Sequence, residues 1–305
     1  MRKREIKNLA ASVHQRLLNK AKASGRPFNE VFLQYYAIER FIYRLSKTPY
    51  AKKFILKGAL MFNVWQTLHS RPTKDIDLLG KLQNKINLIN SAIKDACLQK
   101  VEPDGILFHA ESISATTIKE NTDYEGIRVR LRGNLGTIKL SLQLDIGFGD
   151  VVVPQVFKIT YPTILDFPPP ILYGYSMEST IAEKFHTMAQ LNILNSRMKD
   201  FFDIWRLSRQ FDFKGEILAE ALYKTFKIRS TDIPSQPMKF MEILASEAIK
   251  ETQWQAFLRK TKTNIPPISF AEVISSIKAF LEPVLTALSQ GKDFRKTWKA
   301  PGPWR

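Results

Sequence analysis

Apolar residues recur at helical spacing at the start of the chain. Ile6, Leu9, Ala10, Val13, Leu17, Leu18 and Ala21 predict a helix over about 5–24, ended by Gly25-Arg-Pro. Val31, Phe32, Tyr35, Ile38, Phe41, Ile42 and Leu45 predict a second helix, with Asn29 as its cap. The polar faces of this pair would expose His14, Arg16, Lys20, Lys22, Arg40 and Arg44. The period then changes. An apolar run over about 53–57 predicts a buried strand, followed by a glycine turn at Gly58, a short helix, and a second strand through Asp75 and Leu79. Residues 85–98 read as an amphipathic helix, and 124–132 with 137–147 as a hairpin turning across 133–136. In its second strand Ile138, Leu140, Leu142, Leu144 and Ile146 alternate with Lys139, Ser141, Gln143 and Asp145, which puts Asp145 on the polar face. Proline-rich 161–170 marks a rigid crossover, and helices follow from Ser176 and from beyond Asn195-Ser196. The pattern predicts an α+β chain in three parts: an N-terminal helical cover (1–49), a mixed-sheet core (50–167) and a helical C-terminal domain with a basic tail (168–305). That tail, 292–305 with Trp298 and Trp304, reads either as flexible or as a docking strap.

The candidate chemistry lies where the two early strands meet. Carboxylates at i and i+2 of a strand share a face, so Asp75 and Asp77 point one way while Ile76 and Leu78 point the other. Two like charges on a half-buried strand need a cation or basic partners between them, which makes the pair a candidate divalent-metal clamp. An Asp-x-Asp alone is common on solvated edges. The order strand, glycine turn, helix N-terminus, strand with two acids is what grips a metal-bound nucleoside triphosphate. Asp145 is the candidate third carboxylate, as metal ligand or as base beside an attacking hydroxyl, with Asp150 competing for the role. Lys184 sits in the inward stripe of its helix and should face either a carboxylate or the triphosphate. Asp200 and Asp203, three apart on the next helix, could pair with Lys184 and Lys199.

Composition narrows the partners. The net charge of +17 is uneven: residues 1–53 hold 13 basic and 3 acidic side chains, 54–170 hold 13 and 12, and 171–305 hold 20 and 14. Basic flanks around a near-neutral centre suit a polyanion held by the flanks, or simply a solvated basic surface. No apolar run approaches the ~20 residues of a membrane span, and the basic first seven residues lack the apolar segment of a secretory signal. A single cysteine, Cys97, excludes an intrachain disulfide and fits a cytoplasmic protein. Four scattered histidines (His14, His69, His109, His186) argue against zinc.

The runs FILKGALMF, RPTKDIDLLG, LQLDIGFGDVVVP, AEKFHTMAQL and NSRMKDFFDIWRL together resemble the AbiEii/AbiGii-type nucleotidyltransferase toxin family, from near Ser12 past Trp254. The resemblance implies the nucleotidyltransferase fold of the DNA polymerase beta superfamily and a place in a toxin–antitoxin or abortive-infection pair. By motif match, Asp75 and Asp77 would bind Mg²⁺ or Mn²⁺, and Lys57, Gly58 and Ala59 would lie at the triphosphate of an NTP. Lys184 and the segment Lys199-Asp200 to Asp203 would be the later lysine and aspartate motifs. Relatives of MenT type add nucleotides to the 3′ end of tRNA, so the implied partners are an NTP, an RNA acceptor and a cognate antitoxin of winged-helix, AbiEi-like form. Transfer to a protein or small molecule, or nucleotide and RNA binding without catalysis, are the alternatives. Thr73 matches a position that some relatives have phosphorylated by their antitoxin, where a dianion would repel the triphosphate. Ala59 departs from the Gly-Ser or Gly-Gly of the wider superfamily, so a side-chain contact to phosphate is lost there.

Overall fold

The computed structural model describes residues 8–68, 71–121, 124–234, 236–261 and 265–305. The predicted start of the first helix, with Ile6, and His69 lie outside them. The chain divides into two units: residues 1–65, 72–149 and 157–174, and residues 66–71, 150–156 and 175–305.

The first unit is built on a mixed seven-stranded sheet. α1 (Leu9–Ser24) is capped by Asn8, whose Oδ1 accepts from Ala11 N, and stops at Gly25, which takes φ 64°. Asn29 is not the cap of the second helix. It lies inside a π-helical turn, Phe28–Leu33, that runs directly into α2 (Gln34–Ser46). α2 is buried all round, from Tyr36 to Leu45, so Arg40 and Arg44 are not on an exposed basic face. Arg44 holds Asp104 through Nη1 at 2.6 Å and Nη2 at 2.9 Å, and Arg40 donates from Nη2 to Pro168 O at 2.7 Å. Burying either guanidinium is tolerable only because anionic or carbonyl oxygens meet it.

The sheet comprises β1 (Phe54–Lys57), β2 (Asp75–Gly80), β3 (Ile106–Asn121), β4 (Tyr124–Leu135), β5 (Ile138–Phe148), β6 (Phe157–Thr160) and β7 (Ile171–Gly174), in the order β3-β4-β5-β2-β1-β7-β6. The helix after the glycine turn is short: a 3₁₀ turn, Gly58–Leu60, then α3 (Met61–Val64). α4 (Ile86–Leu98) follows β2 as the periodicity predicts. β3 has no counterpart in the sequence reading. Its Ser/Thr-rich residues lack clean alternation because it is an edge strand with a register shift between His109 and Ser114. The β4–β5 hairpin turns at Gly136-Thr137 rather than across 133–136, and Gly133 pairs with Leu140 inside the ladder. After the three prolines, β7 joins the sheet parallel to β1.

The second unit is helical: α5 (Met177–Leu191), α6 (Met198–Gln210), α7 (Gly215–Ile228), α8 (Lys239–Ser246), α9 (Ala248–Thr261) and α10 (Phe270–Ser289), with a small ribbon of β8 (Phe213–Lys214) and β9 (Thr297–Trp298). Its core is aromatic: Phe201, Phe202, Trp254 and Phe270 are all buried. The basic tail is a strap and not a loose end. Trp298 Nε1 donates to Ser208 O at 2.6 Å, Trp304 Nε1 to Phe280 O at 2.8 Å, and the Trp304 ring stacks on Phe280 with centroids 5.7 Å apart.

Candidate active site

In the first unit, strand register lines up four charged side chains across the sheet. β1 runs antiparallel to β2 with Lys57 opposite Asp77; β2 runs parallel to β5 with Asp77 beside Asp145; β5 runs antiparallel to β4 with Asp145 opposite Arg128. Directly paired positions present their side chains on the same face, with Cβ atoms about 5 Å apart. The resulting row reads Lys57, Asp77, Asp145, Arg128, with the two anions between two cations. Asp75 lies one pleat away on the same face as Asp77, beside Gln143. Both acids of β2 are half-buried, as are Lys57 and Asp145.

Gly58 is held by two constraints. Its φ is +67°, and a Cβ there would stand 2.0 Å from Asp77 Oδ2 and 2.7 Å from its Cγ. Only glycine lets the turn take this conformation and the Asp77 carboxylate rest against it. Ala59 follows, buried at 7% exposure in the 3₁₀ turn. Thr73, just before β2, donates its backbone N–H to Tyr35 Oη at 3.0 Å, and Gln34 Nε2 donates to Lys74 O and Ser141 O, each at 3.3 Å. These bonds fix the start of β2 and hence the aim of Asp75.

Asp145 is held on both oxygens by Arg128, from Nε at 2.8 Å and Nη2 at 2.7 Å, with Gln143 Nε2 at 3.4 Å. Among the described residues no group of three His, Cys, Asp or Glu side chains is arranged to hold an ion. The donors at hand are the hard oxygens of Asp75 and Asp77, the latter resting where a Cβ of residue 58 would otherwise stand. This set fits Mg²⁺, which usually takes one or two carboxylates and completes its shell with water and substrate phosphates.

The later motif residues gather in the second unit. Lys184 on α5 reaches Asp200 Oδ1 at 2.7 Å and Asp203 Oδ2 at 2.8 Å, both on α6. Of the two partners left open for this lysine, the structure shows the carboxylate. Arg197 Nε holds the other oxygen of Asp200 at 2.7 Å, and Arg71 clasps Asp203 from Nε at 3.1 Å and Nη2 at 2.9 Å. Both aspartates are 1% exposed. Lys199 is exposed, and the arginines take the pairing expected of it. Burial works against the charge on Lys184, but Asp200 and then Asp203 outweigh it and hold the ammonium above the ordinary lysine range. Burial likewise opposes ionisation of Asp200, yet Lys184 and Arg197 hold that carboxyl well below the usual carboxylate range. Asp150, the competing third acid, is buried against Arg229 at 3.2 Å in this same unit.

Arg128, Arg71 and Arg197 escaped the sequence reading. The spacing of Arg197 to Asp200 was a usable signal. Arg128 was hidden by the misplaced hairpin turn, which would have set it opposite Ser141 instead of Asp145.

Residues 40–281 match the model of the AbiEii nucleotidyl transferase toxin of type IV toxin–antitoxin systems, and that span is most of the chain. The chain belongs to the AbiEii family. AbiEii membership gives nucleotidyl transfer as the reaction class and implies an NTP substrate and an antitoxin partner. Among solved structures the chain is similar to a protein from H. pylori described as a nucleotidyltransferase, at 16% identity and a TM-score of 0.48, over 84% of this chain and 95% of that one. JHP933 from Helicobacter pylori is similar at 15% identity and a TM-score of 0.48, over 83% and 90%. A search of curated proteins finds no match. No helix among the described residues of this AbiEii chain is long and apolar enough to cross a membrane.

Two outcomes follow. Gly58→Ala should cost about 1–2 kcal/mol in chemical denaturation from the left-handed φ alone and should displace Asp77; an unchanged midpoint and an unmoved Asp77 in a crystal structure would contradict the constraint. Lys184→Met leaves two buried carboxylates short of a partner, so unfolding stability should fall by about 3–5 kcal/mol at neutral pH. Because the Asp200 pKa is depressed in the folded state, its stabilisation is complete above the ordinary aspartate value of about 4 and is lost as pH falls through the folded value. The deficit of the Lys184→Met variant should therefore shrink below about pH 4, as urea melts across pH would show.

Proposed function

We propose that this AbiEii protein is a Mg²⁺-dependent nucleotidyltransferase that moves a nucleoside monophosphate from an NTP to the 3′ hydroxyl of an RNA, with tRNA as the foremost acceptor. The observation that supports this best is the charge row across β1, β2, β5 and β4, because it offers anions for a metal-bound triphosphate with cations on either side.

Asp75 and Asp77 would hold the divalent metal, Mg²⁺ or Mn²⁺. When bound, the metal would polarise the phosphate oxygens and neutralise charge that develops as the nucleotidyl group transfers. Lys57, Gly58 and Ala59 receive the triphosphate beside Asp77; Ala59 offers only backbone, so phosphate contact there falls to N–H groups. The acceptor's 3′ oxygen attacks the α-phosphorus, the bond from that phosphorus to the bridging oxygen breaks, and pyrophosphate leaves. Asp145 accepts the hydroxyl proton, which requires Arg128 to release at least one of its oxygens when the substrates bind. Lys184, with Asp200 and Asp203, belongs to a cluster whose two carboxylates face three strong bases, and its surplus positive charge suits an anionic phosphate group. We place the protein in the cytoplasm, beside an antitoxin of winged-helix, AbiEi-like type. Thr73, next to the clamp in sequence and half-buried, is the position where modification would oppose triphosphate binding.

The alternative with a structural observation behind it is nucleotide or RNA binding without transfer, since Arg128 occupies both oxygens of Asp145. The test is incubation with each α-labelled NTP, Mg²⁺ and total tRNA. Wild type should label RNA, and Asp75→Ala should lose about 10²–10³-fold in rate, in line with loss of a transition-state electrostatic partner, while melting as wild type does. Undiminished labelling by Asp75→Ala would remove the clamp assignment, and absence of label with wild type would favour the binding reading.

A further inference from the structure

An RNA acceptor must reach the aspartates, and the sheet face that carries them continues as a basic surface. Arg128, Arg130 and Arg132 occupy i, i+2 and i+4 of β4, so all three lie on the face of Asp145, while Ile127, Val129 and Leu131 between them are buried. Successive arginines are about 6.6 Å apart along the strand, and β4 is two strands, about 10 Å, from β2. The register sets Asp75, Gln143, Arg130 and Ser114 in one row, and the next row outward pairs Ser141 with Arg132. Lys139, opposite Asn134, extends the positive charge one more step.

The charge changes character along this line. Arg128 is neutralised by Asp145. Arg130 donates from Nε to an uncharged amide, Gln143 Oε1 at 3.3 Å, and Arg132 is paired with Ser141 on β5 and His109 on β3. Arg130, Arg132, Lys139, Ser114 and Thr116 are all exposed. On β3, Glu111 stands 3.2 Å from His109 Nδ1, a contact that is an ion pair only while the imidazole is protonated. Guanidiniums at regular spacing with flanking hydroxyls match phosphate oxygens along a polynucleotide backbone, and such contacts position a strand without reading its sequence. The buried alternate positions make the strand a rigid mount.

We propose that Arg130 and Arg132, continued by Lys139 and the hydroxyls of Ser114 and Thr116, form the track that holds the phosphates of the acceptor RNA just upstream of its 3′ end. The track delivers that end to the Asp75–Asp77 face. It rests on the reading above that the acceptor is RNA, and it moves the expected polyanion surface from the basic flanks, where Arg40 and Arg44 are buried, to the centre of the chain.

The test uses the full chain and two probes, a 5′-labelled single-stranded RNA oligonucleotide and total tRNA, with binding followed by anisotropy between 50 and 200 mM salt. The variants are Arg130→Glu with Arg132→Glu, Arg130→Gln with Arg132→Gln, and Arg130→Lys with Arg132→Lys; the glutamine pair carries the test if charge reversal unfolds the protein. Binding by the reversed or neutralised pair should weaken at least tenfold, and the log–log salt slope should shrink by about 1.4, two phosphate contacts' worth. The lysine pair should stay within about threefold of wild type, and binding of Mg·NTP should be unmoved. RNA affinity and salt slope equal to wild type in the glutamine pair would overturn the track while leaving the RNA acceptor standing. A wild type that neither binds nor labels RNA would overturn both.

Discussion

Two carboxylates side by side in a sheet repel each other, and the rest of this molecule's chemistry depends on how that repulsion is managed. Asp77 and Asp145 are register neighbours on parallel strands, and the sheet sets Lys57 beyond one and Arg128 beyond the other. The strand order that brings β5 against β2, with the long β3–β4 hairpin outside it, is what makes this possible. The glycine turn matters for the same reason, because any side chain at Gly58 would occupy the space of the Asp77 carboxylate. Fold and site are thus one arrangement: a one-residue slip of β2 would turn both aspartates into the apolar interior.

The helical unit solves a similar problem with a different balance. Asp200 and Asp203 are almost wholly buried, and Lys184, Arg71 and Arg197 surround them. Five charges so close form a network in which each member depends on the others, so a lesion there reports on stability as much as on catalysis. Loss of activity on changing Lys184 is therefore weak evidence for a chemical role unless the fold is measured beside it. The row in the sheet is cleaner in this respect, because its members are half-buried and mounted on strands whose alternate residues fill the core.

Much of this was legible in the residues. Period-two alternation placed Asp145 on the polar face of its strand, the Asp-x-Asp spacing put Asp75 and Asp77 together, and the inward stripe of α5 required Lys184 to meet an anion. What was not legible depended on contacts distant in sequence. Helical spacing assigned Arg40 and Arg44 to a solvated face because α2 was read as amphipathic, whereas packing encloses it on every side. Arg128 became visible only once the hairpin turned at Gly136-Thr137, since pairing register is set by the turn and not by composition. The tail offered two tryptophans and no periodicity, and only their hydrogen bonds to Ser208 and Phe280 decide between strap and loose end.

On the function proposed above, the aspartate pair on β2 gathers a metal-bound triphosphate within a row of balanced charges. The most direct measurement of this is calorimetric titration of the intact protein with a non-reacting NTP analogue, with and without Mg²⁺, for wild type and Asp77→Asn. Binding should require Mg²⁺ in wild type and should be at least tenfold weaker in the variant, whose fold is retained. Equal affinity in the two proteins, or tight binding of wild type that ignores Mg²⁺, would contradict it.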